Sequence, residues 1–347
     1  MTLQQVAERA GVSAATVCRV INSMPGITPA TAGNVHRAME ALSYVPNARR
    51  RTASRPATSV ANGAKVGFVV IDLTDSPTVP MYDHLLRGVS AAAAHHKLNL
   101  QVSFISHLAD APKKLAGGGF DGLILHGGCP PLEKTLPLHA IPTVWLMGNR
   151  RRPTWGDQVM PDNVTIGQIA AQYLLRNNHR HVMHFGLLSG WSLGVRALAF
   201  QQAIEDAGAT ATIISHRVRN IEHVAPEDVD AALEKLVTAY RAGPADRRPT
   251  GLFVAEDWLV RPVYNAFSLA GVRLGPGMDL DVIGCNNDRA HLLGVNPMPA
   301  TIDVRAELIG YHAVEHLLPR LRRTGLPDRV RVMLEPSLVL PPSMAVG

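Results

Sequence analysis

The sequence predicts an α/β protein in which a small all-α head precedes a larger domain of alternating strands and helices. The first 46 residues contain amphipathic helical patterns. From Lys65 onward, short apolar runs alternate with helical stretches, which is typical of parallel sheets covered by helices. The length of 347 residues exceeds what one hydrophobic core usually supports, so two or more domains are expected.

The positive charge is concentrated in the first fifth of the chain. Residues 1–65 carry eight basic and two acidic side chains, a net charge of +6, whereas the remaining residues carry 26 of each sign. A basic module joined to a neutral domain is typical of proteins that bind a polyanion such as DNA.

Cysteine spacing and hydropathy predict a cytoplasmic protein. Cys18, Cys129 and Cys285 lie far apart without Cys-x-x-Cys spacing, which indicates a reducing compartment. We find no signal-like N-terminal segment and no apolar run of about twenty residues, so we expect no membrane partner.

The head begins with two short helical patterns joined by a glycine. Apolar residues at helical spacing predict a first helix over 3–10, which Thr2 can cap. Gly11 follows, where a chain leaving a helix often needs positive φ. Ser13 is a natural N-cap for a second helix. The buried stripe of this second helix is predicted to be Val17, Val20 and Ile21.

This arrangement predicts a helix-turn-helix, whose second helix lies in the DNA major groove. A third helix over Pro29–Leu42 completes the core with Val35, Met39 and Leu42. A three-helix bundle without DNA-binding function would share the same pattern. The excess of basic residues favours the DNA-binding interpretation.

Two motifs make a family resemblance specific. The segments TLQQVAERAGVSAATVCRVIN (2–22) and SYVPNARRR (43–51) resemble the DNA-binding head of the lactose-repressor/galactose-repressor family. The resemblance implies a sequence-specific transcriptional regulator, a repressor by expectation, that binds a pseudo-palindromic double-stranded operator as a homodimer. It also implies control by a small-molecule effector, expected to be a carbohydrate, with no catalysis, metal or cofactor.

By this resemblance, Ala14 and Ala15 face base edges and Arg19 is a third reader, since arginine suits guanine O6 and N7. Ser13, Thr16 and Asn22 would mainly contact phosphates. The other residues predicted to bind DNA are Thr2, Tyr44, Asn47, Arg49, Arg50, Arg51 and Ala53.

The sequence departs from the family pattern at two places. Cys18 replaces the usual serine, which removes a hydrogen bond to phosphate. Ala53 stands where the family has a leucine that inserts into the minor groove, and alanine is a poor wedge. We therefore expect Arg49–Arg51 to strengthen phosphate or minor-groove contacts instead of leucine-style intercalation.

The remainder predicts two parallel sheets facing a cleft, with ligands at the carboxyl ends of the strands. Helical patterns separate the strands. The predicted strands are 66–71, 100–105, 122–126, 143–147, 181–188, 211–215, 251–255 and 280–284. The predicted helices are 83–96, 164–177, 195–207, 228–241, 257–270 and 305–322.

The family resemblance extends through this region and implies a periplasmic-binding-protein-like sensor with two subdomains. Asp162-Asn163 matches a pair that opens a helix after the first crossing between subdomains. The predicted domains are a head at 1–46, a hinge at 47–64 and a sensor at 65–340. The first subdomain comprises about 65–160 and 303–328, and the second about 162–302 and 329–340.

By the same resemblance, Arg196, with Phe200 four residues later, matches an arginine that contacts the effector in the family, and Asp257 belongs to a segment that matches an Ala-Asn-Asp motif. These two residues are the central predicted effector contacts, since a donor-only guanidinium and an acceptor-only carboxylate suit vicinal hydroxyls. A structural ion pair between the two is the alternative. Asn286 replaces an expected aspartate, so effector preference is expected to differ. The other candidates are Asp72, Tyr82, Trp191 and Trp258. Core packing is the alternative for both tryptophans.

Two other function classes fit parts of the sequence. Gly190–Gly194 matches Gly-x-Ser-x-Gly, so Ser192 could be a hydrolase nucleophile with Asp257 and either His291 or His312. Such short motifs recur by chance, and this interpretation leaves the head unexplained. A sugar-binding protein without DNA function is the second alternative. His179, His181 and His184 are interpreted as surface or loop residues and not as a metal site.

Overall fold

The structure, a computed structural model, describes residues 3–21, 27–42, 63–72, 79–129, 138–147, 155–188, 191–217, 224–322 and 328–341. The chain divides into two compact units, Met1–Val60 and Ala61–Gly347. Within the described residues, no helix has the length and apolar character needed to cross a membrane.

The small unit contains three helices around a compact apolar core. They are α1 (Leu3–Ala10), α2 (Ala14–Ile21) and α3 (Pro29–Ala41). Thr28 caps α3, because its hydroxyl accepts a hydrogen bond from the Thr31 N–H at 3.2 Å. The core residues are Val6, Ala7, Val17, Val20, Val35, Ala38 and Met39. The predicted three-helix head is therefore confirmed.

The large unit alternates strands and helices, as the sequence predicts. Its strands in the described ranges are β1 (Lys65–Ile71), β2 (Asn99–Ile105), β3 (Gly122–Gly127), β4 (Thr143–Leu146), β5 (Asp157–Pro161), β6 (His181–Leu188), β7 (Thr210–Arg217), β8 (Gly251–Val254), β9 (Asp281–Ile283), β10 (Thr301–Asp303), β11 (Arg331–Leu334) and β12 (Ser337–Val339). Its helices there are α4 (Val79–His95), α5 (Ala111–Gly117), α6 (Asn163–Arg176), α7 (Trp191–Asp206), α8 (Pro226–Ala242), α9 (Val260–Leu269), α10 (Arg289–Leu292) and α11 (Ala306–Arg322).

The strands of the large unit form two parallel sheets and one antiparallel pair. The first sheet has the order β11-β5-β4-β3-β1-β2, and the second has the order β7-β6-β8-β9. Strands β10 and β12 form the antiparallel pair. This architecture confirms the predicted fold class.

One predicted assignment needs correction. The sequence predicts residues 329–340 in the second subdomain, but β11 pairs in parallel with β5 and is an edge strand of the first sheet. The following strand, β12, pairs with β10 instead. Residues 331–334 therefore belong to the first sheet.

Close helix packing explains two glycines. A side chain at Gly88 would collide with the backbone of Glu307, and one at Gly310 would collide with the backbone of Leu85. These glycines let the backbones of α4 and α11 approach each other closely where the two helices cover the first sheet. Because β1 is buried from Val66 to Ile71, its side chains are covered on both faces, as expected for a parallel strand.

An ion pair ties three elements of the first sheet together. Asp157 on β5 accepts hydrogen bonds from Arg320 on α11, from Nε at 2.7 Å and from Nη2 at 2.9 Å. Its Oδ1 also accepts the Val330 N–H at 2.8 Å, next to the start of β11. Asp157 thus fixes the edge strand and the helix to the same point.

Candidate functional site

The turn between α1 and α2 has the predicted geometry. Gly11 adopts a φ of +65°, and the Val12 N–H bonds the carbonyl of Ala7 at 3.1 Å, which closes the end of α1. The hydroxyl of Ser13 accepts the Thr16 N–H at 3.1 Å and therefore caps α2. Ser13 and Thr16 also share a hydroxyl–hydroxyl bond of 2.9 Å.

The predicted DNA-binding side chains of α2 differ in their exposure to solvent. Arg19 is exposed, and Val17 and Val20 on the opposite face are buried in the head core. Ala14 is half-buried and packs against that core. The side chain of Ala15 lies outside the described residues. So do the predicted contacts Thr2, Asn22, Tyr44, Asn47, Arg49, Arg50, Arg51 and Ala53.

The carboxyl edge of the second sheet collects most of the predicted effector contacts. Helix α7 begins at Trp191, just after β6. Strand β8 leads into Glu256 and Asp257, and β9 leads into Asn286. Because the strands are parallel, these segments emerge at the same edge of the sheet.

Arg196 on α7 is buried, at 4 % exposure, and bonds only neutral acceptors among the described residues. Its Nε donates to the Asn163 Oδ1 at 2.8 Å, and its Nη1 donates to the Ala255 carbonyl at 3.0 Å. Nη1 also lies 3.5 Å from the Cys285 Sγ. Burial raises the pKa of the Cys285 thiol to about 12, so the thiol stays protonated and accepts this bond.

Asn163 owes its position to the predicted helix start. Asp162 caps α6, since its Oδ1 accepts the Val164 N–H at 3.0 Å and the Thr165 N–H at 3.2 Å. Asn163 follows in the first turn and directs its amide oxygen to Arg196. This confirms that the Asp-Asn pair opens a helix and shows that Asn163 orients the guanidinium.

Asp257 is completely buried and serves neighbouring backbone and side-chain groups. Its Oδ2 accepts the Asp288 N–H at 2.8 Å, and both oxygens lie 3.0 Å from the Thr301 hydroxyl. Burial raises the pKa of Asp257 to about 7. No ion pair joins Asp257 to Arg196, so the alternative of a structural ion pair is wrong. The predicted effector contact of Asp257 stays a prediction.

Glu256 is a buried carboxylate that is not among the predicted effector contacts. It is 7 % exposed, and its Oε2 accepts the indole N–H of Trp258 at 3.3 Å. Burial raises the pKa of Glu256, whereas the charge of Arg196 and the Trp258 hydrogen bond oppose this rise. A glutamate between a buried strand and a helix was the available signal, but its burial depends on the tertiary fold.

The first sheet contributes a second group of predicted contacts. Asp72 directly follows β1 and has a φ of +58°. Tyr82 on α4 is 6 % exposed and packs edge-on against His126, with ring centroids 5.3 Å apart. His126 lies near the carboxyl end of β3, where burial lowers its pKa to about 4. His126 is not among the predicted effector contacts.

Two more predicted contacts lie near the ends of strands. Trp191 is 37 % exposed, and the guanidinium of Arg331 lies 6.0 Å from its ring centroid. Asn286 adopts a φ of +117°, and its side-chain oxygen is 3.7 Å from the Cys285 Sγ. The partial exposure of both residues is compatible with ligand contact.

The histidines near β6 differ from the prediction at one position. His184 is fully buried, whereas we had interpreted it as a surface or loop residue. Its ring lies between Phe200 and Phe253, at centroid distances of 6.1 and 5.3 Å. His179 and His181 instead bond the hydroxyls of Thr250 and Thr210. Across the described residues, no group of three or more potential ligands could hold a metal ion.

A helix-turn-helix head followed by a two-sheet ligand-binding domain defines a DNA-binding transcriptional regulator. The family profile of bacterial regulatory proteins of the lacI family matches residues 2–47. The profile of periplasmic binding proteins and the sugar binding domain of the LacI family matches residues 63–239, and that of the periplasmic binding protein-like domain matches residues 171–343. The chain belongs to the LacI family.

Curated relatives align over nearly the full chain. The transcriptional repressor PurR of Edwardsiella ictaluri (strain 93-146) is 26% identical over 361 residues, covering 100% of this chain and 97% of the relative. The sucrose operon repressor of Escherichia coli is 26% identical over 335 residues, covering 91% and 93%. Both are similar proteins named as repressors.

Solved structures show the same fold. The complex of the transcriptional regulator CelR with cellobiose superimposes with a TM-score of 0.63 at 23% identity, covering 98% of each chain. The lac repressor dimer bound to operator and the anti-inducer ONPF gives a TM-score of 0.61 at 20% identity, covering 98% of this chain and 97% of that chain.

Proposed function

We propose that this regulator represses transcription by binding a pseudo-palindromic operator as a homodimer, and that a small polyhydroxylated effector controls its operator affinity. The proposal rests mainly on the environment of Arg196. This residue is a buried cation at the carboxyl edge of a parallel sheet, held by neutral acceptors and not by a carboxylate. A side chain fixed in this way is prepared to bind a polar ligand.

The head supports the DNA-binding half of the proposal. Ser13 caps α2 and Val17 anchors it in the core of the head, so α2 presents Arg19 to solvent. Two copies of such a helix, related by a two-fold axis, match half-sites about one helical turn apart. The names of the curated repressors and the dimeric lac repressor complex support the same arrangement.

The ligand half rests on the same sheet edge. The cellobiose complex and a ribose complex of an Enterococcus faecium regulator support a carbohydrate as the effector class. Effector binding would favour one relative arrangement of the two sheets and so change the population of chains able to bind DNA. A cytoplasmic location follows from this function, since the operator is there.

A hydrolase function is not supported by the surroundings of its proposed acid. Ser192 lies in the first turn of α7, but Asp257 bonds Thr301 and the Asp288 N–H and does not orient a histidine. A catalytic acid of this type must hold a histidine in the correct tautomer. We therefore propose that the chain is not an enzyme.

Arg19→Ala tests the DNA-binding proposal. We expect fluorescence anisotropy on a duplex from the protein's own upstream region to show about a tenfold to hundredfold loss of affinity, because a base-reading arginine is removed. Binding to a scrambled duplex should weaken only slightly.

Arg37→Ala is the matched control, since it removes the same charge from α3 and leaves α2 intact. It should change both affinities by the same small factor. Equal losses on both duplexes with Arg19→Ala would contradict base reading, and equal weak binding of the wild type to both would contradict the proposed function.

A further inference from the structure

Asp257 and Glu256 are adjacent carboxylates at the edge of the second sheet, and they differ in how far their oxygens are available to a ligand. Asp257 is fully enclosed, and its oxygens bond the Asp288 N–H and the Thr301 hydroxyl. A side chain on Gly284 would collide with the Asp257 Oδ1, so the strand end is shaped around this carboxylate. A ligand could reach Asp257 only by breaking these contacts.

Glu256 keeps one oxygen available. Its Oε2 accepts from Trp258 at 3.3 Å, whereas Oε1 has no hydrogen-bond partner among the described residues. Oε1 is also absent from the set of fully enclosed, unpartnered side-chain atoms in that part of the chain, so solvent reaches it. A carboxylate oxygen only accepts, so a group that contacts Oε1 must donate.

Arg196 offers the complementary group. Its Nε and Nη1 are used by Asn163, Ala255 and Cys285, and Nη2 has no partner among the described residues. Nη2 is likewise not among the enclosed unpartnered atoms there, so it is reachable. No ion pair within 4.0 Å joins Arg196 to Glu256, although the two charges interact. A donor and an acceptor without partners among the described residues thus lie at the carboxyl edge of the same sheet, near enough for their charges to interact but not in contact.

We propose that Glu256, and not Asp257, is the specificity-determining carboxylate of the effector site, and that it selects uncharged or amine-bearing polyols and rejects sugar acids. This inference rests on the proposed function. A hydroxyl can donate to Oε1 while a neighbouring hydroxyl accepts from Nη2. The charge of Arg196 and the Trp258 hydrogen bond both favour the ionised form of Glu256. An anionic group drawn to Arg196 would then meet a like charge on a residue that is only 7 % exposed, where repulsion is weakly screened.

The first test is a thermal-shift panel on the full-length protein, built from matched pairs. Glucose is compared with gluconate and glucosamine, galactose with galacturonate, ribose with ribonate, and cellobiose with cellobionate. We expect at least one neutral or amine-bearing member to raise Tm, and its acid partner to raise it less. A panel in which only acids raise Tm, or in which no member does, would overturn the proposal.

The second test is calorimetric titration of the strongest neutral or amine-bearing compound. Glu256→Gln should weaken its binding about tenfold to a hundredfold, as for loss of a hydrogen bond to a charged group. It should also improve the relative affinity of the acid partner, a change that a merely structural role would not produce. Unchanged affinities for both compounds would overturn the proposal.

Two further variants separate binding from folding. Glu234→Gln makes the same change on the exposed face of α8 and should leave both affinities unchanged. Should Glu256→Gln lower Tm, Trp258→Phe removes the donor to Oε2 while the carboxylate stays in place, and it should still alter the neutral-to-acid ratio; an unaltered ratio would overturn the proposal. Sugar-acid specificity with intact operator binding would contradict this inference alone, whereas absent operator binding would contradict the proposed function.

Discussion

His184 and Asp257 are buried titratable side chains of the second sheet, and burial shifts their pKa values in opposite directions. The pKa of His184 falls to about 3, through burial first and the charge of Arg196 second. The pKa of Asp257 rises to about 7, mainly through burial. In both cases the folded state disfavours the charged form.

Replacing His184 should stabilise the protein, most of all in acid. Both ring nitrogens lack a hydrogen-bond partner within the described residues, and the site between Phe200 and Phe253 is apolar. His184→Phe removes this unmet polarity and should raise the free energy of unfolding by about 1 kcal/mol at pH 7.5.

The pH dependence follows from the lowered pKa. Below the unfolded value of 6.5, the unfolded chain binds a proton that folded His184 does not, so wild-type stability falls as pH decreases. The variant should lose less stability between pH 7.5 and 5 in urea titrations. His312→Phe, an exposed change on α11, is the control; a His184→Phe variant that is less stable than wild type at pH 5 would disprove this account.

At the scale of single residues, the sequence predicted which side chains carry the chemistry better than it predicted which side chains are buried. Arg196 was predicted because its chemistry and motif are local, and the structure places it at the expected sheet edge. His184 was wrongly predicted as surface or loop, since strand alternation assigns a face but cannot show that both faces are covered. Glu256 was missed for the same reason, because its burial depends on the tertiary fold around Arg196 and Trp258.

At the scale of elements, helix starts were predictable and several short strands were not. Ser13 and Asp162 mark the starts of α2 and α6 through local side-chain bonds. Strands β5, β10 and β11 were missed, because all three are short and mix polar with apolar residues. Their pairing depends on contacts between distant segments, with Arg320 fixed by Asp157.

Asp157→Ala should therefore loosen an entire edge of the first sheet. It removes the carboxylate that pairs with Arg320, whose side chain is 16% exposed and which also donates to the Asp328 carbonyl, and it removes the acceptor of the Val330 N–H. We expect a loss of about 3 kcal/mol in the free energy of unfolding, measured by urea denaturation.

Hydrogen exchange should increase in β11 in the same variant. Asp279→Ala is the control, because it breaks only the exposed ion pair with Arg273. It should leave the hydrogen exchange of β11 unchanged. If β11 exchanges in Asp157→Ala at the same rate as in the wild type, Asp157 does not hold β11 and α11 to β5.

At the scale of the whole molecule, charge distribution predicted the organisation most directly. A net +6 in residues 1–65 against a balanced remainder separates a polyanion-binding head from a neutral sensor. The structure divides the chain at Val60 and Ala61, close to that boundary. The matches of the LacI-family profiles to both units show that this arrangement is shared by a family of regulators.

The central claim is that ligand binding at Arg196 changes operator affinity, and one titration tests it. Operator Kd is measured by anisotropy with and without the compound that most raises Tm, for wild type, Arg196→Ala and the exposed control Arg176→Ala. We predict at least a tenfold ligand-dependent change for wild type and the control, within the usual range of allosteric coupling. For Arg196→Ala the ratio of the two Kd values should fall to about one. The account would be contradicted if the ratio of the two Kd values in Arg196→Ala equals that of the wild type, or if the ligand does not change the operator Kd of the wild type.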